Sequence, residues 1–146
     1  MPRFFTLQQA EKLLPEVEPA LRAAASLKSE YQSAENACQD FSRRIALLGG
    51  VVVDHSEPLE QKQRRDRSAQ QLKAAIEKLQ EFGCLVKDLD MGLVDFPSLF
   101  QGVEVYLCWR LGEPGIQFWH GVDEGFRGRK PIDQEFLDQH QGELPN

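Results

Sequence analysis

The chain has 146 residues, 41% of them apolar, and its formal net charge at pH 7 is −6. This length predicts a single domain, residues 1–146, with one modest core, and no apolar run approaches the roughly 18 residues that a membrane span needs. Because phosphate neutralisation supplies most of the non-specific affinity for nucleic acid, the negative charge argues against nucleic acid as a partner.

The N-terminus and the cysteines indicate a cytoplasmic protein. Residues 1–6 lack the long apolar stretch of a secretory signal. Cys38, Cys84 and Cys108 are odd in number and widely spaced, which fits neither a disulfide framework nor a Cys-x-x-Cys metal pair. We therefore expect three reduced thiols that pack in the interior.

Residues 1–83 predict a helical hairpin. Thr6 followed by Gln9 is a capping-box signature, and the apolar positions beyond it advance by threes and fours, as in a coiled coil. Pro15 and Pro19 predict a kink, or a break between a short helix over residues 7–14 and a long one. Residues 49–50 (Gly-Gly) end the helix, and residues 51–55 connect it to a second helix that starts at Ser56.

The predicted hairpin is too long for the core. At 1.5 Å per residue, a helix of about 33 residues extends about 50 Å, which exceeds a compact core of this size. The arm must therefore project or be covered by another chain, which predicts a homodimer.

Residues 84–131 predict a small antiparallel sheet, because the apolar period changes to two after Gly83. Four strands are expected, over residues 84–89, 93–96, 103–111 and 116–120. Residues 132–146 form a polar, acidic tail that frays or contains a short helix over residues 133–139. The fold class is thus α+β, a long antiparallel helical hairpin followed by a sheet of about four strands.

The turn at residues 112–115 sets the register of the second strand pair. It places Phe118 and His120 on the core face and Cys108 and Trp119 on the opposite, mixed face. A turn at residues 90–92 likewise places Lys87 opposite Asp95. The expected core residues are Leu13, Leu14, Val17, Leu79, Phe82, Val105, Leu107, Trp109 and Phe118.

Several motifs resemble an uncharacterised prokaryotic family, domain of unknown function 2203. They are Phe5-Thr6-Leu7-Gln8-Gln9-Ala10, Leu13-Leu14-Pro15, Val86-Lys87-Asp88-Leu89, Gly92-Leu93-Val94-Asp95-Phe96-Pro97, Val105-Tyr106-Leu107-Cys108-Trp109-Arg110-Leu111-Gly112-Glu113-Pro114, Trp119-His120 and Gly125-Phe126-Arg127-Gly128-Arg129. These motifs cover roughly half of the chain. The resemblance implies membership but no activity, so it carries no catalytic residue over to this sequence.

The second strand pair and the loop after it hold the candidate ligand site. Its residues are Tyr106, Arg110, Glu113, Trp119, His120, Arg127 and Arg129. Arginines between glycines suit a small anionic ligand, because guanidinium groups and backbone N–H groups both bind anions. The alternative, favoured by the many nearby carboxylates, is that the arginines pair internally.

A divalent metal is the only cofactor that the sequence suggests. His120, Asp123 and Glu124 form a local cluster of suitable ligands, although a His beside two Trp is more often a packed, hydrogen-bonded residue. A nucleophilic Cys108–His120 couple is disfavoured, because the expected register separates the two side chains.

Five arginines are expected to form a band around the helical arm near its tip. They are Arg43, Arg44, Arg64, Arg65 and Arg67. Either they form a solvated face, or they dock on the acidic sheet half of a second copy.

No reaction motif is present, so the function that we predict is general. It is a cytoplasmic interaction or ligand-binding module that self-associates through its helical arm. The alternative is a small metal-dependent or acid–base enzyme with a site around His120.

Overall fold

The α+β fold predicted from the sequence is confirmed. The computed structural model describes residues 3–49 and 56–142, and the predicted connection over residues 51–55 lies outside them. Two helices, α1 (Leu7–Leu47) and α2 (Ser56–Glu81), pack along each other as a hairpin and are followed by an antiparallel sheet. None of the helices among the described residues combines the length and apolar content needed to cross a membrane.

The predicted capping box starts α1. The Thr6 hydroxyl accepts the Gln9 N–H at 3.2 Å, and the Gln9 amide oxygen accepts the Thr6 N–H at 2.9 Å. Two of the unpaired N–H groups at this helix end are thereby satisfied.

Of the two effects predicted for the prolines, a kink or a break, the break after residue 14 is wrong, because α1 continues through Pro15 and Pro19. Each proline removes one intrahelical hydrogen bond, which alone disfavours a continuous helix. Val17 and Leu21 are fully buried against the core on the same turns of helix. Their burial holds the helix in place and offsets the lost hydrogen bonds.

The C-terminal part of α1, beyond Ala34, packs less closely than the rest of the helix. The helix has 41 residues, about 60 Å at 1.5 Å per residue, and its buried side chains all fall between Ala10 and Ala34. Leu47 and Leu48 at its end are 81% and 59% exposed. Within the described residues, the start of α2 packs against residues 35–47 of α1, and we call these two segments the distal arm.

Six strands form the sheet within the described residues. They are β1 (Leu85–Asp88), β2 (Leu93–Phe100), β3 (Val103–Arg110), β4 (Phe118–Gly121), β5 (Lys130–Pro131) and β6 (His140–Gln141). The strand order is β1-β2-β3-β4-β5, and β6 pairs with the far end of β2. The four predicted strands are present, and β5 and β6 are additional.

The predicted register of β3 and β4 is wrong by one residue. Tyr106 lies opposite His120 and Cys108 opposite Phe118, because the connection between the strands runs over residues 111–117 rather than 112–115. Since alternate residues point to opposite faces of a sheet, this slip exchanges the faces of every β4 side chain. His120 leaves the core face, and Trp119 joins it.

The predicted opposition of Lys87 and Asp95 is also wrong. A β-bulge at Lys87 shifts the register, so that Leu85 lies opposite Asp95. Beyond the bulge, the Asp88 carboxylate accepts the Met91 N–H at 3.0 Å and closes the turn between the strands.

The inner face of the sheet packs against the N-terminal part of α1 and the C-terminal part of α2, and this contact forms the core. It carries Val94, Phe96, Val105, Leu107, Trp109 and Trp119, which meet Val17, Leu21 and Leu79 of the helices. Of the expected core residues, Leu13, Leu14 and Phe82 are partly buried against this cluster. Phe118 is half-buried on the outer face, as its register requires.

The segment after β5 is part of the core. Its short helix α3 (Gln134–Gln139) matches the predicted one, with Asp133 capping the Phe136 N–H at 2.9 Å. Phe136 is 1% exposed and stacks on Trp119 at 4.9 Å. His140 accepts the Leu7 N–H at 3.1 Å through Nε2 and thereby ties this segment to the start of α1.

We predict that Phe136→Ala lowers the free energy of unfolding by about 3–5 kcal/mol, because it leaves an aromatic-sized cavity in the core. Leu137→Ala is the matched control, since its neighbouring side chain is 38% exposed and should cost about 0.5 kcal/mol or less. Urea denaturation of both variants measures the difference. Equal losses would contradict a core role for the C-terminal segment.

Candidate functional site

Three adjacent strands bring an acid, a thiol and an imidazole together on the outer face of the sheet. Asp95 on β2 lies directly opposite Cys108 on β3, and His120 on β4 is the diagonal neighbour of Cys108. One ligand atom from each of the three residues lies within 4.8 Å of the other two. All three residues are buried, so the cluster is largely shielded from bulk water.

His120 is oriented through both of its ring nitrogens. Nδ1 lies 2.8 Å from the Gly121 carbonyl oxygen, which can only accept, so Nδ1 carries a hydrogen. Nε2 lies 3.1 Å from each carboxylate oxygen of Asp95. Contact between Nε2 and this carboxyl group requires a further proton, which the two residues share.

Burial makes both acidic members of the cluster reluctant to ionise. It raises the pKa of the Asp95 carboxyl, although His120 acts in the opposite direction. It raises the pKa of the Cys108 thiol to about 12, with a further contribution from the charge of Asp95. The Cys108 thiol is therefore protonated at neutral pH and is a poor nucleophile.

A pocket of about 190 Å³ opens over the cluster. Lys87, Tyr106, Glu124 and Phe126 stand around it, and Asp95, Cys108 and His120 contribute to its lining. The Lys87 ammonium lies 4.6 Å from the centre of the Tyr106 ring. The Glu124 carboxylate accepts from Lys130 at 2.7 Å and from the Gly121 N–H at 2.8 Å, and these bonds lower its pKa. We call this cavity, with its cluster, the outer pocket.

Some of the residues predicted for the site meet in the outer pocket. Tyr106, His120 and Glu124 line it. Asp123, the third predicted metal ligand, is exposed, as is Arg127. Trp119 lies on the inner face, where it packs against Phe136.

The Arg129 guanidinium is held by contacts with aromatic rings and a carboxylate of the same chain. Its guanidinium lies 3.9 Å from the Phe118 ring centre and 4.7 Å from that of Phe126. It also bonds the Glu113 carboxylate at 2.6 Å, and the other oxygen of that carboxylate accepts the Arg110 N–H. This is the internal pairing that the local carboxylates suggested, and it fixes the loop after β4.

The arginines of the arm also have carboxylates within the hairpin. Arg64 lies 3.9 Å from Glu30, and Arg65 lies 3.6 Å from Glu35. Arg43 lies 3.5 Å from Asp40. These carboxylates lower the net positive charge around Arg43, Arg64 and Arg65.

Fold and site together define an α+β protein with a projecting helical arm and a buried carboxylate–thiol–imidazole cluster under a small pocket. The chain belongs to the family described as an uncharacterized conserved protein (DUF2203), whose model matches residues 3–132. No curated protein and no solved structure matches the chain.

Sequence reasoning missed Asp95 and Cys108 as site residues. The register error separated Cys108 from His120, although the two lie on the same face. Asp95 had a usable signal, since it is an acid inside the apolar run Leu93-Val94-Asp95-Phe96. A charged residue in a strand with buried neighbours on both sides indicates a paired or functional group.

We predict that iodoacetamide labels Cys38 in the native protein far faster than Cys84 or Cys108. Cys38 is half-buried on the arm, whereas burial raises the pKa of the Cys84 thiol to about 11 and that of Cys108 to about 12. Raising the pH from 7 to 9 should barely change this order, since a thiol with pKa 12 is about 0.1% ionised at pH 9. Peptide mass spectrometry measures the labelling, and urea-unfolded protein, which should react at all three sites, is the control. Native labelling of Cys108 as fast as Cys38 would contradict the enclosed cluster.

Proposed function

We propose that this protein is a cytoplasmic ligand-binding module that takes a small anionic molecule into its outer pocket and self-associates through its arm. The observation that carries the binding role is the Asp95–Cys108–His120 cluster at the base of an open pocket. Buried ionisable groups are costly for a fold, and they concentrate at functional sites.

The size of the outer pocket limits its ligand. Its volume of about 190 Å³ is well below the roughly 300–1,000 Å³ of pockets for drug-sized molecules. A water molecule takes up about 30 Å³, so the pocket has room for about six non-hydrogen atoms. A short carboxylic acid or an inorganic oxyanion is of this size.

Charge around the pocket favours an anion. Lys87 is exposed at the rim, and the Tyr106 hydroxyl is a potential donor to a ligand. The acidic group at the rim, Glu124, already pairs with Lys130. Lys87 is therefore the charged group that a small anion entering the pocket would meet.

The second candidate function is an acid–base enzyme. The observation that favours it is the contact of His120 Nε2 with both oxygens of Asp95, which orients the ring and holds a proton next to the pocket. Such an enzyme would use Asp95 as the partner of His120, in place of the Asp123 or Glu124 that the sequence suggested.

A cytoplasmic location is supported by the state of the cysteines. All three thiols are free, and Cys84 and Cys108 are buried. Free thiols persist in reducing compartments, whereas small secreted domains commonly rely on disulfides.

We predict that native mass spectrometry of protein purified without a metal-affinity column shows an added small mass on the wild-type chain. Lys87→Gln should reduce the fraction of chains that carry this mass, because it removes the cation at the pocket rim. Lys78→Gln is the matched control, since it removes an exposed lysine of α2 remote from the pocket lining. Wild-type protein without any added mass, or equal loss in both variants, would sink the small-molecule proposal.

Self-association is supported by the distal arm. A groove of about 560 Å³ lies between the helices there, and its lining includes Phe41, Ile45 and Leu59. Leu59 is 57% exposed. The charged groups of the groove, Glu35, Lys62 and Arg65, are of both signs.

A second copy of the chain suits this surface. In a two-fold dimer the same patch meets itself, so a patch that contains both signs can place opposite charges across the interface. Residues 1–83 contain as many Lys and Arg as Asp and Glu, and two arms therefore do not repel each other through net charge.

We predict that the wild-type protein is a dimer, with twice the 16.6 kDa chain mass, and that Leu59→Gln is a monomer at the same concentration. The polar substitution removes an exposed apolar contact at the groove. Val103→Gln, which replaces a 64% exposed residue of the sheet, is the control and should remain dimeric. Size-exclusion chromatography with light scattering gives the masses. A monomeric wild type, or a dimeric Leu59→Gln, would refute self-association through the arm.

A further inference from the structure

We propose that Asp95, Cys108 and His120 bind a divalent transition-metal ion, with one coordination position open to the outer pocket. The inference rests on the proposed function, because the ion forms the base of the same pocket and its open position receives the anionic ligand.

The positions of the three side chains suit a metal ion. Their ligand atoms lie within 4.8 Å of one another, and they come from three neighbouring strands rather than from a mobile loop. Bonds of about 2.0–2.3 Å to a common ion place tetrahedral ligand atoms about 3.3–3.8 Å apart. The cluster therefore needs only small side-chain movements to close around an ion.

The hydrogen bond from His120 Nδ1 to the Gly121 carbonyl is of the kind that a metal-ligating histidine makes. A ligating histidine commonly donates its other ring N–H to a carbonyl or carboxylate, which fixes the ring and its tautomer. Here Nδ1 donates to the Gly121 carbonyl at 2.8 Å, and Nε2 is directed into the cluster. Nε2 is thus the nitrogen that would bind the ion.

Charge balance favours a dication in this buried place. A thiolate from Cys108 and a carboxylate from Asp95 carry two negative charges, which a divalent ion neutralises. Binding would release the thiol proton and the proton shared by Asp95 and His120 to solvent, since a coordinated thiol is deprotonated. The resulting site has no net charge and avoids the cost of burying separate ions.

The ligand set distinguishes between metals. A thiolate, an imidazole and one carboxylate suit Zn²⁺ or Co²⁺, whereas Mg²⁺ and Ca²⁺ prefer oxygen ligands. Three protein ligands with a fourth position open to a pocket is also the arrangement of zinc sites that bind a further ligand.

The test is titration of chelator-treated, full-length protein with Co²⁺, followed by absorption spectroscopy. The wild type should bind one ion per chain and show a thiolate-to-cobalt charge-transfer band, which Zn²⁺ abolishes by displacing the cobalt. Cys108→Ser should lose this band. Cys84→Ser is the matched control, since Cys84 is also a buried thiol but lies outside the cluster and donates to the Leu79 carbonyl.

Asp95→Asn provides a readout that does not depend on the thiol. It is isosteric, and it should weaken cobalt binding by more than the about 10- to 100-fold that loss of an outer-shell partner causes. A wild type without the band, a band that survives Cys108→Ser, or unchanged affinity in Asp95→Asn would overturn the metal site.

Different outcomes contradict the metal site and the proposed binding of a small anion. A chain that binds no cobalt but retains an anion lost in Lys87→Gln overturns the metal site and leaves the binding module in place. A chain that shows the cobalt band but retains no anion supports the metal site and overturns the small-molecule role of the pocket.

Discussion

Burial of both faces of β3 is the constraint on which the rest of the structure depends. Every side chain over residues 105–109 is buried, so each face of the sheet needs its own cover. Leu107 and Trp109 on the inner face meet the helices, which provide the apolar core. Tyr106 and Cys108 on the outer face are covered by Lys87 and the loop after β4, and this cover encloses a polar cluster. A single strand thus separates the core from the candidate site.

The outer face also shows why its acid is a functional candidate rather than a stabilising group. An apolar side chain at position 95 would avoid the desolvation cost of the buried carboxyl, which the pairing with His120 offsets only in part. Arg129 is a contrasting case on the same face. Its charge is satisfied by Glu113 and two aromatic rings, and its role is to hold the loop after β4 in place. The Asp95 cluster instead borders an open volume.

Periodicity and capping were sufficient to predict the hairpin and four of the strands, because each is a local property of the chain. The register of β3 and β4 is not local. A connection over residues 112–115 has good turn chemistry, yet Ile116 enters the core as part of a longer loop and moves the pairing by one residue. Despite this register error, the sequence identified His120 as a site residue, but it did not place Cys108 beside it. The two-residue strand β6 has no pattern of its own and depends on β2 for its existence.

The arm and the outer pocket can act independently because they use different surfaces. The sheet meets the hairpin through its inner face, near the start of α1, whereas the groove with Phe41 and Leu59 lies on the distal arm. Two copies joined by their distal arms would therefore leave both outer pockets open to solvent. Ligand binding would then neither require nor prevent the dimer, since a ligand shifts an assembly equilibrium only by its differential affinity for the two states.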